Sequence, residues 1–195
     1  GGRFFVLDGQ HTLTVERELG HETLTCKVFI GLNKKEEAKL FATQNEFRRG
    51  ITSYAKFRAE VVAEMVPAVE IDGLVRKYGF EIRENTGVLT AGAITSVRKL
   101  YGIVKKYGIE GLDFTLQTII ELGWDTFDNG LNEKVLCLSA AYEFCKGNPR
   151  NYAILKGCLE TYESPNQFVL DAANKFINET QTQTRAVERF VRSLF

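Results

Sequence analysis

The chain has 195 residues, 44% of them hydrophobic and 26% charged, which suits one compact domain or a small domain with an appendage. Its 25 basic and 25 acidic side chains cancel, so nucleic-acid binding would require a local basic patch, because neutralised phosphates drive that affinity. No apolar run reaches the ~20 residues of a membrane span and no signal peptide is recognisable, which excludes a membrane partner and predicts a cytoplasmic protein.

The cysteines and histidines point to no metal site. Cys26, Cys137, Cys145 and Cys158 form no C-x-x-C pair and show no zinc-ligand spacing. Cys137 lies in an apolar run, a setting in which a free cysteine acts as a small hydrophobic residue. We therefore expect free thiols in a reducing compartment. Because the chain has only two histidines, a multi-histidine metal site is excluded and no metal ligand is assigned.

The first part of the chain alternates two kinds of element. The pattern of apolar residues predicts a strand, a helix, a strand and a helix over residues 4–7, 12–19, 23–30 and 34–45. Asn33 is suited to cap the last of these helices, and Glu36 completes the spacing of a capping box. Alternation of this kind indicates a small α/β unit.

From residue 52 onward the helical period dominates. Helices are predicted over residues 53–65, 69–78, 92–107, 112–122, 131–146, 150–161, 165–178 and 182–194. Residues 80–90 are predicted to form a connector or a small hairpin. The sequence thus predicts an α+β protein whose larger part is helical.

The run Asp8-Gly9-Gln10-His11-Thr12 is the most informative in the chain, because it follows the first predicted strand and opens the first predicted helix. It resembles the D-G-x-H-R segment of ParB-like domains in the ParB/sulfiredoxin superfamily. The order of elements continues similarly to about residue 58.

The resemblance implies a ParB/sulfiredoxin-like α/β domain over residues 1–50, followed by a mostly α-helical region over residues 51–195. A strand and a helix precede the motif in such domains, so we expect further elements upstream of residue 1. The helical region is similar to tails of uncharacterised ParB-like proteins of bacteria and their mobile elements.

The same resemblance implies a nucleotide- or phosphate-binding site formed by Gly9, Gln10, His11 and Thr12, with a nucleotide and Mg²⁺ as the candidate cofactor. A glycine turn lets a ligand approach the backbone, and free N–H groups at a helix start favour an anion. Thr12 stands where relatives carry Arg, which removes a bidentate cation. Gln10 stands where sulfiredoxins carry the reactive cysteine, so repair of oxidised cysteine is not expected.

A cluster of basic residues follows the fourth predicted element. Four cations lie within residues 45–58, against the single carboxylate of Glu46: Arg48, Arg49, Lys56 and Arg58. Such a patch can contact the phosphates of DNA, although a solvated helix face has the same pattern.

Three functions remain open at this point. The first is a ParB-like nucleic-acid-associated binding protein of bacterial or mobile-element origin. The second is a nuclease or nucleotide hydrolase with Asp8 and His11 as catalytic residues. The third is a structural interaction domain without a ligand. The sequence also leaves homo-oligomerisation open.

Overall fold

The computed structural model describes residues 4–45, 51–88 and 90–195. The chain divides into two compact units, Gly1–Val66 and Pro67–Phe195, which we call unit 1 and unit 2. Most described residues lie in helices, so the predicted helix-rich architecture is confirmed. Among the described residues, no helix is both long and apolar enough to cross a membrane.

Unit 1 contains helices α1 (Gln10–Glu18), α2 (Lys34–Asn45) and α3 (Ser53–Val62). The predicted capping box at the start of α2 is confirmed. The Asn33 side-chain oxygen accepts hydrogen bonds from the backbone N–H of Lys35 and of Glu36, both at 3.0 Å, and the Glu36 carboxylate accepts from the Asn33 N–H at 2.8 Å. These bonds satisfy backbone donors that a helix start leaves unpaired.

The two compact units meet after Val66, and the predicted domains over residues 1–50 and 51–195 stay a prediction. The predicted division after residue 50 lies at the edge of a segment outside the described residues. Helix α3 packs against α2, and this contact assigns it to unit 1. Helix α3 itself begins as predicted, because the Thr52 hydroxyl accepts a hydrogen bond from the Ala55 N–H at 3.1 Å.

The prediction of two strands in unit 1 was wrong. Residues 4–7 and 23–30 lie outside regular secondary structure, and the side chains of Phe5 and Ile30 are 81% and 89% exposed. Within the described part of the chain, no backbone hydrogen bond reaches residues 22–31. A β-strand is stabilised by hydrogen bonds to a neighbouring strand, and an alternating sequence pattern does not show whether such a strand exists. The finer prediction of a ParB/sulfiredoxin-like domain stays a prediction.

Unit 2 begins with helix α4 (Ala68–Lys77), close to the helix predicted over residues 69–78, and the left-handed Gly79 follows its C-cap. Strands β1 (Glu81–Ile82) and β2 (Ala93–Ile94) follow and pair in parallel. The hairpin alternative for residues 80–90 was therefore wrong, because hairpin strands run antiparallel. Since β2 occupies residues 93–94, the helix predicted from residue 92 begins only at Val97.

Helix α5 (Val97–Glu121) joins the two helices predicted over residues 92–107 and 112–122. The predicted break between the two helices corresponds to a bend at Gly108, whose φ is +73° and whose ψ is 178°. An L-residue with a side chain rarely adopts this conformation, so glycine is required at the bend. The two arms of α5 consequently point in different directions.

The remaining elements of unit 2 enclose its core. They are the 3₁₀ helices η1 (Trp124–Thr126) and η2 (Val135–Ala141) and the helices α6 (Tyr142–Cys145), α7 (Pro149–Leu159), α8 (Pro165–Thr180) and α9 (Gln183–Arg192). The helix predicted over residues 131–146 is thus mainly 3₁₀. Helices α5, α6 and α9 pack around η2. Trp124 and Phe168 add an aromatic contact, with ring centroids 5.5 Å apart.

We expect Gly130→Ala to destabilise unit 2 by about 1–3 kcal/mol, the usual cost of overpacking. An added Cβ would lie 1.7 Å from the backbone oxygen of Trp124, which must then move. The emission of Trp124, the only tryptophan, follows unfolding in urea. Gly157→Ala is the matched control: its Cβ would meet nothing within 4 Å inside α7, so we expect a stabilisation of about 0.5–1 kcal/mol. Equal midpoints for Gly130→Ala and the wild type would contradict this packing.

Candidate functional site

The turn before α1 has the conformation that a close backbone approach requires. Gly9 has φ +88° and ψ 21°, in the left-handed region, and forms the N-cap of α1. Its N–H donates to the Asp8 carboxylate at 2.7 Å, and its carbonyl accepts from the Leu13 N–H at 3.0 Å. The glycine turn predicted from the sequence is therefore confirmed, and it is held by local hydrogen bonds.

The first turn of α1 is open to an anion. Among the described residues, no side chain caps the helix and no acceptor bonds the backbone N–H groups of Gln10, His11 and Thr12. The first turn carries no acidic residue, and the three side chains are exposed. Unpaired N–H groups and the positive end of the helix dipole make such a terminus attractive to an anionic oxygen.

The candidate catalytic residues Asp8 and His11 lie near each other in the chain but do not form a pair. Within the described part of the structure, they share neither a hydrogen bond nor an ion pair. The ring of His21 pairs instead with Glu16. No group of three or more potential metal ligands occurs among the described residues.

The predicted basic patch is described only in part. Arg48 and Arg49 lie outside the described residues. Lys56 and Arg58 both lie on α3, but residues two positions apart do not share a helix face. The Lys56 ammonium lies 3.8 Å from the Glu60 carboxylate on the same face. The described part of α3 therefore does not bring Lys56 and Arg58 together.

A cleft in unit 2 was not predicted from the sequence. This cleft of about 280 Å³ runs beside α5, and Lys99, Ser139 and Glu188 are among the residues that line it. The Lys99 ammonium pairs with the Glu188 carboxylate at 2.9 Å. Two features of the sequence could have indicated this cleft. They are the cationic residues at helical spacing on α5 and the lone serine in the apolar run Val135–Ala141.

Burial dominates the electrostatics behind this cleft. It raises the pKa of the Cys137 thiol to about 12, although the neighbouring Lys99 ammonium acts in the opposite direction. Burial also lowers the pKa of Lys99, but Cys137 and Glu188 outweigh it, and the pKa of Lys99 is raised. We attribute this to Glu188, because a thiol with so high a pKa is neutral near pH 7. The raised pKa of Lys99 favours its charged form, and the raised pKa of Cys137 disfavours its thiolate.

The comparison with protein-family models gives a match over most of the chain. The model of a family of unknown function, DUF6551, matches residues 1–144. Neither a curated protein nor a solved structure matches the chain. The matched range includes the glycine turn and the whole of α5.

We expect the stability of unit 2 to fall as the pH rises from about 8.5 towards 11, because a thiol in an unfolded chain ionises near pH 8.5. Burial raises the pKa of folded Cys137 to about 12 and that of Cys145 to about 11, so the unfolded state ionises first. Urea midpoints at pH 8 and pH 10 measure the loss. It should shrink in Cys137→Ala and persist in Cys26→Ser, whose thiol is exposed. An unchanged pH dependence in Cys137→Ala would contradict this assignment.

Proposed function

Because the chain belongs to the DUF6551 family, a family of unknown function, we propose from its own residues that it is a ParB-like, nucleic-acid-associated binding protein with a nucleotide- or phosphate-binding turn at residues 8–12. The observation that carries the proposal is the exposed, uncapped start of α1 behind a left-handed Gly9. This arrangement has the geometry by which backbone groups hold phosphate.

The residues of the turn define how a phosphate group would bind. Its oxygens would accept hydrogen bonds from the backbone N–H groups of Gln10, His11 and Thr12. Gly9 has no Cβ, so the ligand can approach the backbone closely. The Thr12 hydroxyl and the exposed His11 ring can add further donors. A hydroxyl is a weaker partner for phosphate than the guanidinium of Arg, so we expect modest affinity.

The Asp8 carboxylate favours an anionic ligand that carries a metal cation. It lies directly before the turn and accepts a hydrogen bond from the Gly9 N–H at 2.7 Å. A bare phosphate would be repelled by this negative charge, whereas a nucleotide with bound Mg²⁺ carries a compensating cation. We therefore propose a nucleotide with Mg²⁺ as the ligand of the turn.

We expect a nucleotide with Mg²⁺ to raise the melting temperature of the full chain, because a ligand that binds only the folded state stabilises it by about 2.7 kcal/mol at 100 times its Kd. CTP, ATP, GTP and inorganic phosphate are compared with and without Mg²⁺. Thr12→Arg should strengthen binding by about ten- to a hundredfold, since a hydrogen bond to a charged group is worth roughly 1.5–3 kcal/mol.

The two histidines provide a matched control for this screen. His11→Ala should reduce the response, and His21→Ala should not, because His21 pairs with Glu16 and lies outside the turn. A flat screen in both wild type and Thr12→Arg would refute the nucleotide site. Equal losses in the two histidine variants would mean that the response arises elsewhere.

The association with nucleic acid makes a separate prediction. We expect Arg49→Glu to weaken binding to DNA and to lower the slope of log affinity against log salt by about 1, the effect of losing one phosphate contact. Arg83→Glu is the control, because Arg83 is an exposed arginine of unit 2 that pairs with Glu81. Fluorescence anisotropy over a salt series measures both values. An identical slope for Arg49→Glu and wild type would remove the basic cluster from the interface.

A further inference from the structure

The cleft beside α5 shares no residue with the turn at residues 8–12, because the residues that line it all belong to unit 2. Helix α5 supplies one wall, with Lys99, Lys106 and Tyr107. Ser139 of η2 and Glu188 of α9 also line it. Gly102 lies between the lysines on α5, and nothing occupies the space within 4 Å of where its Cβ would be. The cleft has a volume of about 280 Å³, which accommodates a small group rather than a large ligand.

Ser139 is a polar side chain in an apolar surrounding. It is 2% exposed and lies in η2, where every neighbour in the helix is apolar or cysteine. Among the described residues no fully buried side-chain oxygen or nitrogen lacks a hydrogen-bond partner, and Ser139 contributes a hydroxyl to the lining of the cleft. A hydroxyl in this position can donate a hydrogen bond to an acceptor atom of a ligand in the cleft.

The charges of the cleft favour an anionic acceptor. The cleft has a net charge of +1, because three cations and two carboxylates line it. They are Arg98, Lys99, Lys106, Glu133 and Glu188. Lys99 and Glu188 neutralise each other at 2.9 Å. The Lys106 ammonium lies 4.9 Å from the centroid of the Tyr107 ring and, within the described residues, pairs with no carboxylate. A phosphate group has the charge and the acceptor oxygens that Ser139, Arg98 and Lys106 can bind.

A row of aromatic rings leads away from the cleft. Tyr107, Tyr142, Phe114 and Tyr152 follow one another with centroid distances of 6.4, 5.7 and 5.8 Å. All four side chains are half-buried, so part of each remains accessible. Rings of this kind provide surfaces on which unpaired bases stack, largely independent of base identity.

Cationic side chains lie next to the rings of this aromatic row. The Lys146 ammonium lies 5.5 Å from the centroid of the Tyr142 ring, and Arg192 donates to the Tyr107 hydroxyl at 3.0 Å. Glu143 lies 3.8 Å from Arg192 and offsets part of that charge. Cations beside stacked rings are the combination found in proteins that bind single strands, because phosphates and bases alternate along the ligand.

We propose that the cleft and the aromatic row form a binding track for single-stranded nucleic acid. A backbone phosphate binds in the cleft beside Ser139, Arg98 and Lys106, and unpaired bases lie against Tyr107 and Tyr142. The class of partner rests on the proposed function, but the residues of the track are independent of the turn at residues 8–12. A duplex fits less well, because paired bases do not offer their faces to the rings.

Fluorescence anisotropy with a fluorescein-labelled oligothymidine of about 12 nucleotides tests the track, since such sites cover roughly 4–16 nucleotides. Lys106→Glu should weaken binding at least tenfold and lower the salt slope by about 1. Lys105→Glu is the matched control, because Lys105 is exposed but points about 100° away around α5 and does not line the cleft. We expect the affinity of Lys105→Glu for the oligonucleotide to stay within about threefold of the wild-type affinity. The small remaining loss would come from the long-range effect of the changed charge.

Ser139→Ala keeps the size of the side chain nearly unchanged and removes the hydroxyl. It should weaken binding severalfold at an unchanged melting temperature. Equal losses in Lys105→Glu and Lys106→Glu would overturn the track, as would tighter binding of a duplex than of the single strand. So would a cleft that binds inorganic phosphate but not the oligonucleotide.

The outcomes also separate the track from the proposed function. A nucleotide response that depends on His11, without oligonucleotide binding, would overturn the track and leave the turn intact. Oligonucleotide binding that depends on Lys106, with a flat nucleotide screen, would support the track and refute the nucleotide turn.

Discussion

Burial of the 3₁₀ helix η2 is the constraint on which unit 2 depends. Each of its seven residues is 2% exposed or less. A 3₁₀ helix has poorer hydrogen-bond geometry than an α-helix and is rarely this long, so its burial has to be supported by packing. Helices α5, α6 and α9 supply that packing. Because two of these helices also contribute walls of the cleft, the position of η2 fixes the distance across it.

Unit 1 is organised by a different balance of forces. Helix α1 has no buried residue, and the conformation of the turn before it comes from the left-handed Gly9 and its hydrogen bond to Asp8. Local hydrogen bonds of this kind each contribute only about 1 kcal/mol to stability. A ligand at residues 8–12 would therefore contribute a large share of the order in its own site, whereas the cleft in unit 2 is shaped by the core before any ligand arrives.

The sequence predicted the features that depend on neighbouring residues. Capping by Asn33 and Thr52 requires only side chains within three positions, and the bend at Gly108 requires only a residue that tolerates positive φ. The helix starts at Pro149 and Pro165 follow the same logic, with Asn148 and Ser164 as caps.

Features that depend on distant residues could not be predicted in this way. The segment over residues 23–30 has the alternation of a strand, but a ladder partner lies outside that pattern. The parallel pairing of β1 with β2 and the 3₁₀ form of η2 also follow from tertiary contacts. The turn at residues 8–12 was visible in the sequence because it is local. The cleft was not, because Lys106 and Ser139 are brought to it by separate elements.

The zero net charge of the chain says little about its capacity to bind phosphate, because many of the charges cancel in pairs. The cations of Lys77 and Lys99 pair with Asp113 and Glu188 at 2.9 Å each. Lys106 and Lys146 instead lie over aromatic rings, and in the described structure no carboxylate pairs with either. The field at a surface is set by such unneutralised charges within a screening length of about 10 Å, rather than by the total. A neutral protein can therefore present a local positive surface, and here that surface coincides with the rings on which unpaired bases could stack.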